Sequence, residues 1–243
     1  LKHLSKLAKL KLVIKFLAEP TAYIYAPGGE FLMPYIRREI ALADDGAAVM
    51  ISSTDIYEPG EGWLDEESPL NEASEWLAPE RQFADEAKSR GTKAYVLRCA
   101  PIVGTGMTGA VRRLAEEIYR GFFFHFPGNE ARKSVVHATD VARAVKFLVE
   151  SDAPSGVYNL TDGVDPTLHD LAEAIAYRMT NKRISNLSTR PQQMIGKFIY
   201  GRERYRRYTT SELFSSSRIR ALGFETVDTC EYMRTHVYDD SSL

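Results

Sequence analysis

The sequence predicts an α/β protein: a doubly wound parallel sheet with helices on both faces. Short apolar runs alternate with helical patterns of about a dozen residues, as in "AAVMISS", "PERQFADEAKSRG" and "KAYVLRCAPIVG". Strands separated by helices of that length form parallel sheets buried on both sides. The runs also end in turn-forming residues, Gly28-Gly29, Ser52-Ser53-Thr54 and Gly104-Thr105-Gly106, which mark the strand exits. A chain of 243 residues has room for one large domain, or one domain and a small lobe.

The elements follow in order. The opening "LKHLSKLAKLKLVIKFLAEP" is basic and amphipathic, and lysines at 6, 9, 11 and 15 interrupt its apolar stretch, so it is not a signal peptide. "LKHLSKL" suits a first helix after a glycine loop, and "KLVIKF" is a weak strand. "AYIYAP" is a strand by length and punctuation, and "MPYIRREIALADDG" a helix with Ile36, Ile40 and Leu42 near helical spacing and a stop at Gly46. "AAVMISS" is a buried strand. "PERQFADEAKSRG" is a helix with Pro79 in its first turn and Gly91 as its stop. "KAYVLRCAPIVG" is read as one strand and "GAVRRLAEEIYRG" as a helix. "TDVARAVKFLVES" is a helix capped by Thr139 or Asp140, and "GVYNLTD" a strand. "TLHDLAEAIAYRMT" opens with a capping arrangement, Thr167 with Asp170 three residues on.

Composition excludes several classes. Net charge is −2 and 26% of residues are charged, far from the basic balance of a nucleic-acid binder. No apolar run approaches the roughly 20 residues that span a bilayer. The cysteines, Cys99 and Cys230, are far apart and give neither a disulfide framework nor metal-ligand spacing. A reducing, cytoplasmic setting and no metal are the expectations.

Three stretches carry candidate chemistry. "VMISSTDIYEPGE" places Ser52, Ser53 and Thr54 where a buried strand ends, the edge at which open α/β sheets bind ligands; the same residues also suit a plain turn. "LRCAPIVGTGMTG" repeats the strand-then-glycine pattern, which allows close backbone approach to a ligand or makes a loop. "KSVVHATDVARAV" puts His137 before a helix, as a ligand-binding group or a partner of the helix cap.

Taken together and in order, "ISSTDIYE", "YVLRCAPIVGTG", "SVVHATDVARAV" and "GVYNLTDG" with "TLHDLAEAIA" resemble the extended short-chain dehydrogenase/reductases, the NAD-dependent epimerase/dehydratases. That family shows S-S-x-x-V-Y-G, Y-x-x-x-K, L-R-P-x-x-I-Y-G-P-G, H-V-x-D-V-A-x-A and V-Y-N-v-G in the same sequence. The resemblance runs from Ala22 to about Ala176, with an echo in "SRIRALGFET". It implies a Rossmann-type NAD(P)-binding domain over residues 1–150. Residues 151–243 would be mainly a small C-terminal substrate lobe, with some return to the first domain. A doubly wound dinucleotide fold needs two or three strands in its first half, and no G-x-G-x-x-G is present; a glycine loop ahead of Leu1 is expected.

By this likeness Ser53 fills the catalytic Ser/Thr position and hydrogen-bonds the oxygen that is oxidised or reduced. Ser52, Arg98, Cys99 and Ala100 would lie near the nicotinamide, and Ala26 and Pro27 along the adenosine half. His137 matches the histidine of H-V-x-D, which in the family more often orders the structure than reacts; it is carried here as a candidate for substrate contact. The catalytic Tyr-x-x-x-Lys pair is not found: none of the 13 tyrosines has a lysine four residues later. In the family a carboxylate follows the Lys by four residues on one helix face. If Asp85 is that carboxylate, Arg81 takes the Lys position and Leu77 the Tyr position; with Glu86, Gln82 and Ala78 take them. Leu77 exchanges no proton and Arg81 cannot act as a base. Tyr57 is the nearest substitute acid in sequence.

"RPQQMIGKFIYGRERYRRYTT" gathers Lys197, Arg202, Arg204, Arg206 and Arg207 among aromatics. Arg forks suit phosphates and aromatic faces suit a ring; a solvated helix is the other reading. The implied function is NAD(P)-dependent oxidoreduction, epimerisation or dehydration of a sugar-like, nucleotide-linked small molecule, with Arg202 and Arg204 on the substrate. The alternative is a catalytically silent NAD(P)-binding sensor or scaffold. The family commonly dimerises, so a homodimer is expected, with no nucleic-acid or membrane partner.

Overall fold

The computed structural model describes residues 22–25, 47–89, 91–125, 128–180, 184–186 and 201–235. The expected N-terminal helix, "KLVIKF", the helix from Met33 and positions Ala26 and Pro27 lie outside these residues. The core is a parallel sheet of four described strands, β1 (Ala22–Tyr25), β2 (Ala47–Ser53), β4 (Lys93–Cys99) and β8 (Gly156–Leu160), in the order β1-β2-β4-β8. Parallel neighbours need crossovers, and helices supply them: α1 (Leu77–Ser89) between β2 and β4, and α2 (Gly109–Tyr119) and α3 (Ala138–Glu150) between β4 and β8. After β8 come α4 (Leu168–Thr180), α5 (Arg202–Thr209), α6 (Ser217–Ala221) and α7 (Thr229–Thr235). Two-residue strands form three parallel pairs: β3 (Trp63–Leu64) with β10 (Leu213–Phe214), β5 (Ile102–Val103) with β7 (Val136–His137), and β6 (Phe124–His125) with β9 (Ser185–Asn186).

Alternation along each strand assigns the faces. Val49 and Ile51 of β2, Tyr95, Leu97 and Cys99 of β4, and Tyr158 and Leu160 of β8 join one buried cluster with α3. On α3 the residues facing them, Ala138, Val141, Ala142, Ala144, Val145 and Leu148, are all inaccessible to solvent; the small alanines let the helix lie close to the sheet. The intervening strand residues point to the other face, where α1 lies.

Two local expectations are corrected. "KAYVLRCAPIVG" is two strands, because β4 ends at Cys99 and Ile102–Val103 turns away to pair with β7; Pro101 between them has no N–H for the ladder. The cap of α3 is His137 rather than Thr139 or Asp140. Its Nδ1 accepts the Thr139 N–H at 3.2 Å. Asp140 is instead buried, accepting from Val227 N at 2.8 Å and from Arg143. The Thr167–Asp170 cap forms as expected, with Asp170 N donating to Thr167 Oγ1 at 3.1 Å.

The residues after 150 return to the sheet. β8 is one of its strands, and Ile219 of α6 and Phe224 join the cluster under α3. The Asp162 carboxylate, just past β8, accepts N–H groups from Val164, Asp165 and Thr229. A Leu148→Ala substitution should lower unfolding free energy by about 2–5 kcal/mol in a urea titration, because it leaves a cavity in the layer that joins α3 to the sheet.

Candidate active site

Ser52, Arg98 and Asn159 are register partners across β2, β4 and β8, each one residue short of the carboxyl end of its strand. Partners in a parallel ladder share a face, so a row of polar side chains crosses the sheet on the α1 side. All three are buried. Burying a guanidinium is unfavourable without a paired anion, and α1 provides one. Leu77, Glu80 and Ala87 are the buried residues of that helix, and Glu80 reaches Arg98 with Nε at 3.2 Å from both carboxylate oxygens and Nη2 at 2.8 Å from Oε2. Ser52 Oγ donates to the same carboxylate. On its other side Arg98 Nη1 donates to Tyr57 Oη at 3.0 Å, and Tyr57 Oη donates to Asn159 Oδ1 at 2.6 Å. The Asn159 N–H is taken by Glu66 Oε1 at 2.7 Å. The chain Ser52–Glu80–Arg98–Tyr57–Asn159 thus links one helix, one loop and three strands.

Electrostatics follow the burial. Burial works against the Arg98 charge, but hydrogen bonds to Glu80 and Tyr57 outweigh it and raise its pKa. Burial raises the Tyr57 pKa despite the opposing contacts from Arg98 and Asn159. Its ring lies 5.9 Å from that of Phe214 and beneath the Arg98 guanidinium at 5.0 Å.

The sequence-derived candidates divide between this network and the open edge. Ser52 and Arg98 are locked in the network, on the face away from Ser53. Cys99 is in the core on the α3 face, where burial pushes its thiol pKa up. Ala100 is buried, its N–H donating to Leu160 O at 2.9 Å. His137 is fully buried as the α3 cap, its ring 4.7 Å from Tyr232. Arg81 points outward from α1 and pairs with exposed Glu72 at 3.4 Å. The helix carboxylate that meets the sheet is therefore Glu80, while Asp85 and Glu86 are exposed. Counting back four and eight residues from Glu80 reaches Trp76 and Glu72. Trp76 packs beside Ile56, Tyr57, Leu77, Ala100 and Phe214.

Ser53 alone of the named hydroxyls remains half-exposed at the carboxyl end of β2, accepting the Asp55 N–H at 3.1 Å and capping a 3-10 turn over Thr54–Ile56. After β5 the chain passes through Gly106 and Gly109 at φ 80° and 67°, a backbone that favours glycine. Arg202 is exposed on α5, and the Arg204 side chain lies outside the described residues. Helix α5 is held by buried Lys133, whose Nζ donates to Arg207 O at 2.7 Å, Thr210 O at 2.8 Å and Glu212 Oε2 at 3.1 Å. Glu80 and Asn159 lie in the quoted stretches "PERQFADEAKSRG" and "GVYNLTD", but neither is among the candidates named from the sequence. The clue to both is Arg98, a charged residue in an apolar strand that demands a buried carboxylate.

This geometry is a doubly wound parallel sheet of Rossmann type with the Ser53 hydroxyl at its carboxyl edge. Solved structures with that fold cover nearly the whole chain. UDP-N-acetylglucosamine 4-epimerase from Bacillus cereus matches at TM-score 0.60 and 18% identity, over 93% of this chain and 80% of that one. Human epimerase family protein SDR39U1 (isoform 2), solved with NADPH, matches at 0.59 and 16%, over 92% and 84%. RMD from Pseudomonas aeruginosa, complexed with NADPH, matches at 0.60 and 18%, over 92% and 82%. No protein-family model matches the sequence, and no curated protein does. At these identities the likeness establishes the fold.

Removing one member of the buried pair should be severe and removing the outer pair mild. Glu80→Ala should lower stability by about 3–5 kcal/mol, since it leaves Arg98 charged and unpaired in the interior. Arg81→Ala should change it by less than about 0.5 kcal/mol, as exposed pairs typically do. Parallel chemical denaturation of the two variants checks the contrast.

Proposed function

We propose that the protein is an NAD(P)-dependent oxidoreductase, epimerase or dehydratase acting on a sugar-like, nucleotide-linked small molecule. The observation that carries this is Ser53: with Ser52, Arg98 and Tyr57 all committed to the buried network, it presents a hydroxyl at the edge where this fold class binds ligands. The donor set fits a nicotinamide dinucleotide. The backbone around Gly106 and Gly109 would hold its nicotinamide half, and Ala26 and Pro27 would follow the adenosine half. That cofactor supplies hydride chemistry when bound.

The chain's own residues do the rest. Ser53 orients the reacting oxygen and shares a proton with it. The buried ion pair fixes the strand end on which Ser53 sits. Arg202 and Arg204, on the helix clamped by Lys133, suit the anionic part of a substrate. Solved structures that share the fold include UDP-N-acetylglucosamine 4-epimerase, UDP-glucose 4-epimerase and dTDP-glucose 4,6-dehydratase, which supports that substrate class. A cytoplasmic homodimer completes the proposal; among the described residues no helix is long and apolar enough to cross a membrane.

A second reading has one observation in its favour. The positions four and eight residues before Glu80 are Trp76 and Glu72, both ahead of α1, and neither can replace a Tyr–Lys pair. On this reading the protein binds NAD(P) without turnover.

Fluorescence titration should show NADH or NADPH binding well below millimolar concentration, and failure of both would falsify either reading. In a nucleotide-sugar and carbonyl panel, Ser53→Ala should remove about 10²–10⁴ of any turnover while cofactor affinity stays within a few-fold. A wild-type protein that binds the nucleotide but turns over nothing in the panel selects the silent reading.

A further inference from the structure

Two of the five histidines meet outside the network described above. His125 on β6 and His169 on the first turn of α4 have ring centroids 3.9 Å apart and planes inclined by 37°. They share a hollow with Phe123, Phe124, Asn129, Leu168 and Tyr208. Tyr208 comes from α5; its ring meets Phe123 edge-on at 5.8 Å, and its hydroxyl donates to Glu117 of α2 at 2.6 Å. β6 is two residues long and pairs with two residues of β9, a ladder too short to hold itself in place. The histidine stack adds a side-chain tie between β6 and α4. Nδ1 of His169 is buried without a hydrogen-bond partner, and Nε2 lies 3.9 Å from Glu173 Oε1. A neutral imidazole has one N–H and one bare nitrogen, so Nδ1 is the bare one and Nε2–H faces Glu173.

We propose that the His125–His169 stack is a proton-operated latch: two neutral rings hold β6 on α4, and a proton taken up by His125 from solvent releases β6 and opens the hollow. Neutral aromatic rings attract one another in offset and tilted arrangements. An imidazolium in the same place has lost water that the aromatic walls do not replace. It also faces the first turn of α4, the positive end of the helix dipole. Tyr208 lines the same hollow, so release of β6 also frees one side of α5, the helix that carries Arg202, Arg206 and Arg207.

The groups facing His125 come from three elements. α4 supplies His169, Asp170 and Glu173, and α5 supplies Tyr208. β9 supplies Ser185 and Asn186, which do not titrate. Loss of water around the ring is the largest influence and lowers the His125 pKa, and His169 pushes the same way. Glu173 and Asp170 push against them without reversing the direction. Once out of the hollow, His125 regains the ordinary histidine value of about 6.5. The open form therefore takes up protons first as pH falls. The latch is fully closed above about pH 6.5 and weakens as pH drops toward the lower value of the closed form.

Two measurements on the full chain test this without any ligand. Proton NMR follows the imidazole Cε1–H signals, with His125 assigned by the one lost in His125→Phe. Its midpoint should lie below about 6.5 and should rise in His169→Phe, which keeps an aromatic ring but removes the second imidazole. Hydrogen exchange over residues 122–125, corrected for intrinsic rates and compared between about pH 5 and 8, reads the latch itself. Wild-type protection should fall at the acid end, by up to about tenfold for each unit that the midpoint lies below 6.5. His125→Phe keeps a ring against His169 with no charge to gain, so its protection should stay level. His125→Ala lacks the ring and should exchange fast throughout. A midpoint at or above about 6.5, or one that His169→Phe leaves in place, overturns the proposal. So does a pH response shared by wild type and His125→Phe, or neutral-pH protection in His125→Ala equal to that of the wild type.

Discussion

The carboxyl edge of the sheet depends on one buried ion pair. Arg98 is the penultimate residue of β4, on the face covered by α1, and its charge survives there because Glu80 takes up three of its N–H contacts. Buried charges add little net stability, but they are demanding about geometry, since a lost partner leaves an ion in a medium that solvates it poorly. The pair therefore fixes α1 against β4 within a narrow range of positions. Through Tyr57 and Asn159 it also ties the loop after β2 to β8, so three strand ends share one set of constraints.

That constraint divides the residues of a short motif by function. Ser52 and Ser53 are adjacent, yet successive side chains in a strand point to opposite faces. Ser52 is turned toward α1, where Glu80 consumes its hydroxyl. Ser53 is turned the other way and begins a 3-10 turn at the open edge. Tyr57, four residues later, is turned back into the network and stacked on Phe214. The same few residues thus supply a rigid support and an accessible hydroxyl, with the register of β2 deciding which does which.

The C-terminal segment is bound to the sheet by polar contacts as well as by apolar packing. Arg220 Nη2 donates to Asp162 O at 2.8 Å, Val227 N donates to the Asp140 carboxylate, and Thr229 N reaches the Asp162 carboxylate. Gly163 sits at φ 69°, a backbone that favours glycine, and a Cβ there would push the Arg220 guanidinium aside. Burial raises the pKa of Asp140 and Asp162, partly offset by the N–H groups each accepts. Separately, the Lys133 ammonium clamps the carboxyl end of the arginine-bearing α5.

The parallel sheet, its alternating helices and the exit of β2 at Ser53 were legible from the sequence, because apolar period and turn residues are local properties that water enforces residue by residue. The Thr167–Asp170 cap was legible for the same reason. The partner of Arg98 was not: Glu80, Asp85 and Glu86 look alike on one helix, and only the rotation of α1 on the sheet selects Glu80. Nor could sequence show that Glu80 takes up the Ser52 hydroxyl, find the break at Pro101, or choose between the two readings of His137. Those facts depend on strand register and on which face another element covers, quantities that arise only when distant segments compete for the same buried space.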